Sequence, residues 1–264
     1  MKLSIAILTC NEAANLERTL ESVAWADELI VVDSGSTDET LAIARRYRAR
    51  IYVEPWKGYG GQMNSAIDKC TSPWVFSLDA DEVFTPELSA DIRELLAGKP
   101  KYRAYTVPRL NLIFGRWMRH GGLYPDRKLR LFQQGTARLR EDTEPHATPK
   151  WDGPIGSLRS DLLHYQYPTV AGYIEHMDRY STASVRLALR KGKTGRSLPG
   201  FLLGVVINPL ATFVYNYFCR LGFLDSREGL LLHLYHAGYV SWKYSKAWET
   251  ARANANADSS LRSK

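Results

Sequence analysis

Trp74-Val75-Phe76-Ser77-Leu78-Asp79-Ala80-Asp81 reads as a buried strand that delivers two carboxylates at its C-terminal end. Upstream, Leu29-Ile30-Val31-Val32 does the same for Asp33, which opens the polar run Asp33-Ser34-Gly35-Ser36-Thr37-Asp38. In an open α/β sheet, ligands collect at the carboxyl ends of the strands. Two acid-tipped strands therefore predict a polar ligand above a sheet, accompanied by a divalent cation. Mg²⁺ or Mn²⁺ is held by one or two carboxylates together with substrate phosphates, and Asp-x-Asp presents such carboxylates compactly. Taken alone, Asp79 and Asp81 also fit a solvated strand-to-helix turn in which one acid caps the helix.

The surroundings decide between these readings. Ser4 to Glu12 is a strand that ends in polar residues, and the following segment sets Leu16, Leu20 and Val23 at helical spacing. Strand, helix, strand, Asp-rich turn, helix, strand, helix, strand and Asp-x-Asp then fill about the first 82 residues. Gly58, Gly60 and Gly61 permit close backbone approach to a ligand. No Gly-Lys-Ser/Thr follows them, so this is not a Walker loop.

Leu8-Thr9-Cys10-Asn11-Glu12, Asp33 to Asp38 and Trp74 to Glu82 resemble the motifs of glycosyltransferase family 2. Gly58-Tyr59-Gly60-Gly61-Gln62-Met63-Asn64 sits where that family closes over the nucleotide. The segment from His120 through Tyr124-Pro125-Asp126-Arg127 to Phe132 is similar to the subgroup that builds the lipopolysaccharide inner core and related envelope glycolipids. The resemblance runs to about Trp248. It implies a Rossmann-like, GT-A type nucleotide-diphospho-sugar transferase fold with a helical, membrane-associating C-terminal extension.

The resemblance also implies roles. Asp81 is the expected metal ligand, and Asp79 contacts ribose and reaches the metal directly or through water. Asp33 accepts from the N3–H of uracil. Thr9, Asn11 and Glu12 line the nucleoside pocket, although Thr9 or Asn11 is equally suited to capping the first helix. Gln62 and Asn64 bring amides near the donor, and His120, Tyr124, Asp126 and Arg127 face the acceptor.

The general base departs from the expected pattern. Related enzymes of this subgroup often carry His-Glu after the strands of the acceptor half, but here the chain reads Arg140-Glu141-Asp142-Thr143-Glu144-Pro145-His146-Ala147. A carboxylate base must reach the acceptor hydroxyl within hydrogen-bond distance. Glu144, rigidified by Pro145, ranks first, Asp142 second and Glu141 third. His146 is a further candidate for base or metal ligand, and His164 is either a ligand or a structural histidine.

At 264 residues with formal net charge +7, the chain supports one large domain plus an extension. Catalytic residues 1–165, a membrane-associated helical extension 166–252 and a disordered tail 253–264 are the expected divisions. The basic residues cluster twice, around Tyr124-Pro125-Asp126 and at Arg186, Arg190, Lys191, Lys193 and Arg196. No nucleic-acid motif accompanies them, so an anionic membrane surface and a phosphorylated acceptor are the expected partners, not nucleic acid. Three scattered cysteines and an N-terminal strand in place of a signal peptide point to the cytoplasmic face of the inner membrane. Phe201 to Phe218 is long and apolar enough to approach a bilayer crossing, but Asn208-Pro209 interrupts it, which favours peripheral attachment.

The expected activity is inverting transfer of a hexose, glucose by default, from a UDP-sugar to a lipopolysaccharide core or related glycolipid. The rivals are transfer onto a polyprenyl phosphate and a nucleotide-sugar-binding protein that has lost catalysis. A sugar nucleotidyltransferase would need a basic Gly-rich N-terminal loop that this chain lacks.

Overall fold

The computed structural model describes the backbone of residues 1–140 and 149–262, with side chains over 1–140 and 149–255. Two compact units emerge, one of residues 1–111 and 125–165, the other of 112–124 and 166–264.

The first unit is built on a sheet. Strands β1 (Leu3–Thr9), β2 (Glu28–Asp33), β3 (Arg50–Val53) and β4 (Trp74–Asp79) are parallel in the order β3-β2-β1-β4. The sheet continues through β8 (Asp126–Gln133), antiparallel to β4, then β6 (Ala104–Ile113), β10 (Leu162–Tyr167) and β5 (Glu82–Phe84). A short strand, β9 (Ile155–Ser157), pairs with β6 in parallel. The two-residue period of β1 sends Leu3, Ile5 and Ile7 into one apolar layer and Ala6 into the other. Helices α1 (Ala13–Val23) and α4 (Pro86–Ala97) cover the first layer, and α3 (Tyr59–Lys69) covers the second. At the start of α4, Thr85 Oγ1 accepts from Leu88 N at 3.0 Å and Pro86 occupies the first turn. Arg138 and Lys150 form an isolated antiparallel bridge.

The second unit is helical. Helices α5 (Val170–Ala183) and α6 (Val185–Arg190) lead to a continuous stretch, Leu198–Cys219, and then to α9 (Ser226–Arg262). The tail expected to be disordered instead prolongs α9 to Arg262, as its alternating alanines favour. Residues 112–124, expected within the catalytic domain, join this unit because Ile113, Met118 and Leu123 pack with Tyr167, Tyr173, Met177 and Leu232.

Pro209 interrupts the long apolar stretch without breaking it. A proline has no N–H to give the carbonyl four residues back, and its ring crowds that carbonyl. The helix widens to a π turn over Leu203–Ile207, and Val205 O accepts instead from Ser241 Oγ on α9 at 2.9 Å. Gly204 permits this close approach, since a Cβ there would lie 3.0 Å from the Tyr244 ring. On the outward side, Leu202, Leu203, Val206, Ile207, Leu210, Val214 and Phe218 are all exposed.

At the other end of this helix pair, Asp225 accepts from the backbone N–H of His120 at 2.8 Å and lies 2.9 Å from His120 Nδ1. That lock sets Gly121 at φ +67°, where a Cβ would lie 2.1 Å from His233 Nε2. Gly121→Ala should therefore destabilise the protein by about 1–3 kcal/mol from backbone strain alone, with the steric clash in addition. In urea denaturation, combining it with His233→Ala should recover the clash component; strictly additive losses would contradict this account.

Candidate active site

The parallel strands are ordered β3-β2-β1-β4, so the direction of winding reverses between β1 and β4. The crevice beyond their carboxyl ends is where such sheets bind ligands. Thr9 and Asp33 are register partners at the ends of β1 and β2, and Asp79 ends β4 opposite Leu8.

Asp33 is fully buried, and its carboxylate takes four donors: Thr9 Oγ1 at 2.8 Å, Gly35 N, Ser36 N and Ser36 Oγ. Burial opposes its ionisation, but these hydrogen bonds outweigh burial and hold the carboxyl below the ordinary aspartate value. Asp33 thus moulds the Ser34–Thr37 turn, with both oxygens already engaged. The facing turn is tied to it. Asn11, at φ +57°, accepts from Thr37 N at 2.8 Å and donates from its own N–H to Ser36 Oγ at 2.8 Å. Asp38 accepts from Thr40 N and from Ala13 N at the start of α1. Glu12 stands at the same helix start, and burial, together with the nearby charges of Asp81, Asp38 and Asp79, raises its carboxyl above the usual range.

The centre of the site is an ion network that sequence reading did not anticipate. Arg130 Nη2 lies 2.6 Å from both Asp79 Oδ2 and Glu82 Oε1. Glu82 is fully buried; its Oε1 also takes Arg109 Nη1 at 3.1 Å, and its Oε2 takes Asp79 N at 3.1 Å. Arg109 continues to Asp126, which Lys128 also meets at 2.9 Å. Tyr59 OH donates to Asp79 Oδ1 at 2.6 Å. Burial alone would neutralise Asp79, but Arg130 and Tyr59 hold its carboxyl well below the ordinary value. Both oxygens of Asp79 thus accept a hydrogen bond, one from Tyr59 and one from Arg130. The available signal was an arginine within the apolar run Leu129-Arg130-Leu131-Phe132, because a charge inside a buried strand requires a partner.

Asp81 is the open carboxylate, with its side chain 29% exposed. His164 Nε2 lies 3.2 Å from Asp81 Oδ2, while His164 Nδ1 is 2.8 Å from Asn111 Oδ1. When Nδ1–H donates to Asn111, the Nε2 lone pair faces Asp81, a pairing that suits a shared cation. A carboxylate with an imidazole is a donor set that fits Mn²⁺ or Mg²⁺ completed by phosphate oxygens. Among the described residues, no three His, Cys, Asp or Glu side chains converge as a ready-made metal cage.

The other expected residues are dispersed. Gln62 is buried, with Oε1 accepting from Lys57 N at 3.2 Å and Nε2 without a partner among the described residues. Asn64 spends its amide on Leu139, accepting from its N–H and donating to its carbonyl. Asp126 belongs to the ion network, and Arg127 donates to Leu158 O at 3.2 Å. His120 and Tyr124 belong to the second unit. Glu144 and Asp142, with Glu141 and His146, lie outside the described residues.

The network predicts an acid-sensitive fold. With folded carboxyls of Asp79 and Asp33 below their unfolded value of about 3.9, their stabilisation is complete above that value and is lost as pH falls through the folded values. Arg130→Met should cost about 3–5 kcal/mol by stranding two buried carboxylates. It should also flatten the acid limb of stability against pH in denaturant titrations. An unchanged acid limb in that variant would show that Arg130 does not set the ionisation of Asp79.

Comparison with known proteins gives the family. The sequence model for glycosyl transferase family 2 matches residues 4–151. A lipopolysaccharide core biosynthesis glycosyltransferase, LpsC of Rhizobium meliloti, is 29% identical over 99% of this chain and 98% of its own length. A glycosyltransferase of Rickettsia felis is 30% identical over 73% of this chain and 72% of its own. Among solved structures, the mannosyltransferase PcManGT of Pyrobaculum calidifontis, in complex with GDP-Man and Mn²⁺, superposes with a TM-score of 0.52 at 16% identity. That alignment covers 93% of this chain and 86% of PcManGT, and it shows a shared GT-A fold. From its first strand through both acid-tipped strands and beyond, the chain belongs to glycosyl transferase family 2 and is a glycosyltransferase.

Proposed function

We propose that this glycosyltransferase moves a hexose, glucose by default, from a UDP-sugar to a lipopolysaccharide core or related envelope glycolipid, with inversion. The observation that carries the reading is the open Asp81 carboxylate facing His164 Nε2 at 3.2 Å, beside an Asp79 already neutralised by Arg130. Similarity to LpsC over nearly the whole of both chains supports the envelope acceptor.

In this reading Asp81 and His164 hold a divalent cation, Mn²⁺ or Mg²⁺. When bound, that ion supplies Lewis acidity against the charge that builds on the leaving diphosphate. The Thr9–Glu12 and Asp33–Asp38 turns wall the nucleoside, and Asp79 is held in place for the ribose. Glu144, or failing it Asp142, takes the proton of the acceptor hydroxyl. The freed oxygen bonds to the anomeric carbon as the bond from that carbon to the diphosphate breaks on the opposite face. One displacement inverts the centre. A second reading, transfer onto a polyprenyl phosphate, is favoured by the basic cluster ahead of the apolar helix and needs no strong base.

The enzyme works at the cytoplasmic face of the inner membrane in this proposal, attached peripherally through the exposed apolar face of Leu202 to Phe218. Charged residues bound that face at both ends, Arg196 before it and Arg220 after it, which suits a helix lying in the interface.

Two outcomes test the proposal. Asp81→Asn should abolish metal-dependent hydrolysis and transfer from UDP-sugar while the thermal transition is retained; full activity in that variant would sink the metal assignment. Glu144→Gln should lower turnover by about 10²–10⁴-fold with donor affinity unchanged, and Asp142→Asn should be mild. The reverse ranking would move the base to Asp142, and two mild effects would favour the polyprenyl phosphate reading.

A further inference from the structure

The second unit carries an open groove of about 430 Å³, with Lys193 and Arg196 exposed along it, that has no part in the chemistry above. It is lined on one side by the loop 192–197 and on the other by the first turns of the apolar helix. Gly192 at φ +70° and Gly195 at φ +61° turn this loop so that Lys193, Thr194 and Arg196 all line the groove. Lys193 Nζ donates to Tyr244 OH at 3.2 Å, and Tyr244 lines the opposite wall. Neither Lys193 nor Arg196 has a carboxylate within ion-pair distance among the described residues. Two exposed cations, a threonine hydroxyl and a phenol along one groove, with no acid beside the cations among the described residues, suit an anion with several acceptor oxygens.

The rest of the lining says what carries that anion. Phe201 and Leu203 line the same groove, and the apolar face of Leu203, Val206, Ile207 and Leu210 runs outward from it. Aromatic and basic residues surround this end of the helix. Phe201 packs edge-on against Trp248 at 5.3 Å, Lys243 Nζ lies 4.8 Å from the Tyr244 ring centre, and the Arg252 guanidinium lies 5.6 Å from that of Trp248. Trp and Tyr beside Lys and Arg mark the level of lipid headgroups. A polar ligand at this depth, continued by apolar surface, is an amphiphile.

We infer that this groove is a headgroup site that takes the phosphate of a membrane phospholipid between Lys193 and Arg196, with the acyl chains against the Leu203–Leu210 face. This rests on the peripheral attachment proposed above and sharpens it from diffuse attraction to a defined contact. Diffuse attraction depends on how much charge faces the membrane and is screened by salt, whereas a direct charge-assisted hydrogen bond persists when the Debye length is only a few ångströms.

The test is co-sedimentation of the full-length protein with vesicles of phosphatidylcholine, with and without phosphatidic acid, at about 0.5 M salt, where diffuse attraction is largely screened. Wild type should retain a preference of about tenfold for the vesicles containing phosphatidic acid, the size of one charge-assisted hydrogen bond. Arg190→Gln/Lys191→Gln removes the same charge outside the groove and should keep that preference. Lys193→Gln/Arg196→Gln should lose it while still binding through the apolar face, and Thr194→Asp, a single change in the lining, should weaken it. Equal loss in the two double variants would overturn the headgroup site and leave peripheral attachment standing. Absence of vesicle binding by wild type at any salt concentration would overturn both.

Discussion

Arg130 is almost wholly buried, and one of its nitrogens bonds Asp79 and Glu82 at once. Burying ions costs several kcal/mol each, which is recovered only when every lone pair and proton is matched. Here the matching is nearly complete. Tyr59 takes the other oxygen of Asp79, the backbone N–H of Asp79 takes the other oxygen of Glu82, and Arg109 joins Glu82 to Asp126. The network fixes the end of β4 in one geometry, and with it the turn that carries Asp81. Rigidity at that turn lets a single open carboxylate face His164, because His164 pairs with Glu82 in register across β10 and β5.

The first half of the fold was legible because its physics is local. Buried strands with an acid at each end, helices with four-residue apolar spacing and a Thr-Pro-Glu helix start each identify themselves within a few residues. The register that brings Thr9 opposite Asp33 follows once those strands are parallel. The ion network was illegible because its members lie on β4, β5, β6 and β8, and only the pairing of β8 with both β4 and β6 brings them together. Even so, Arg109 and Arg130, each alone in an apolar stretch, carried a warning that a buried partner existed. Asn64 and Asp33 carry structural bonds that their motifs do not announce. Each sits where a family motif predicts ligand contact, and each spends its hydrogen-bonding capacity on the protein's own backbone or on side chains of neighbouring turns.

The second unit follows a different logic. Its apolar stretch is short of internal propensity: a proline at 209, a glycine at 204 and two π turns interrupt it. A tertiary contact repairs the break before Pro209, where Ser241 donates to Val205 O, and Asp225 separately ties down the His120 turn. The outcome is a helix pair held in part by the Ser241–Val205 hydrogen bond, with an apolar outer face. A soluble core helix would bury such a face, and the peripheral attachment proposed above rests on its exposure.

The proposed chemistry requires that Asp81 and His164 form a cation-assisted diphosphate site. Calorimetric titration of UDP into wild-type protein, once with Mn²⁺ and once with EDTA, reads this without any acceptor or turnover. The account predicts that UDP binds about tenfold more tightly or better with the metal, at least 1.4 kcal/mol of binding free energy. Equal UDP affinity in Mn²⁺ and in EDTA would contradict it.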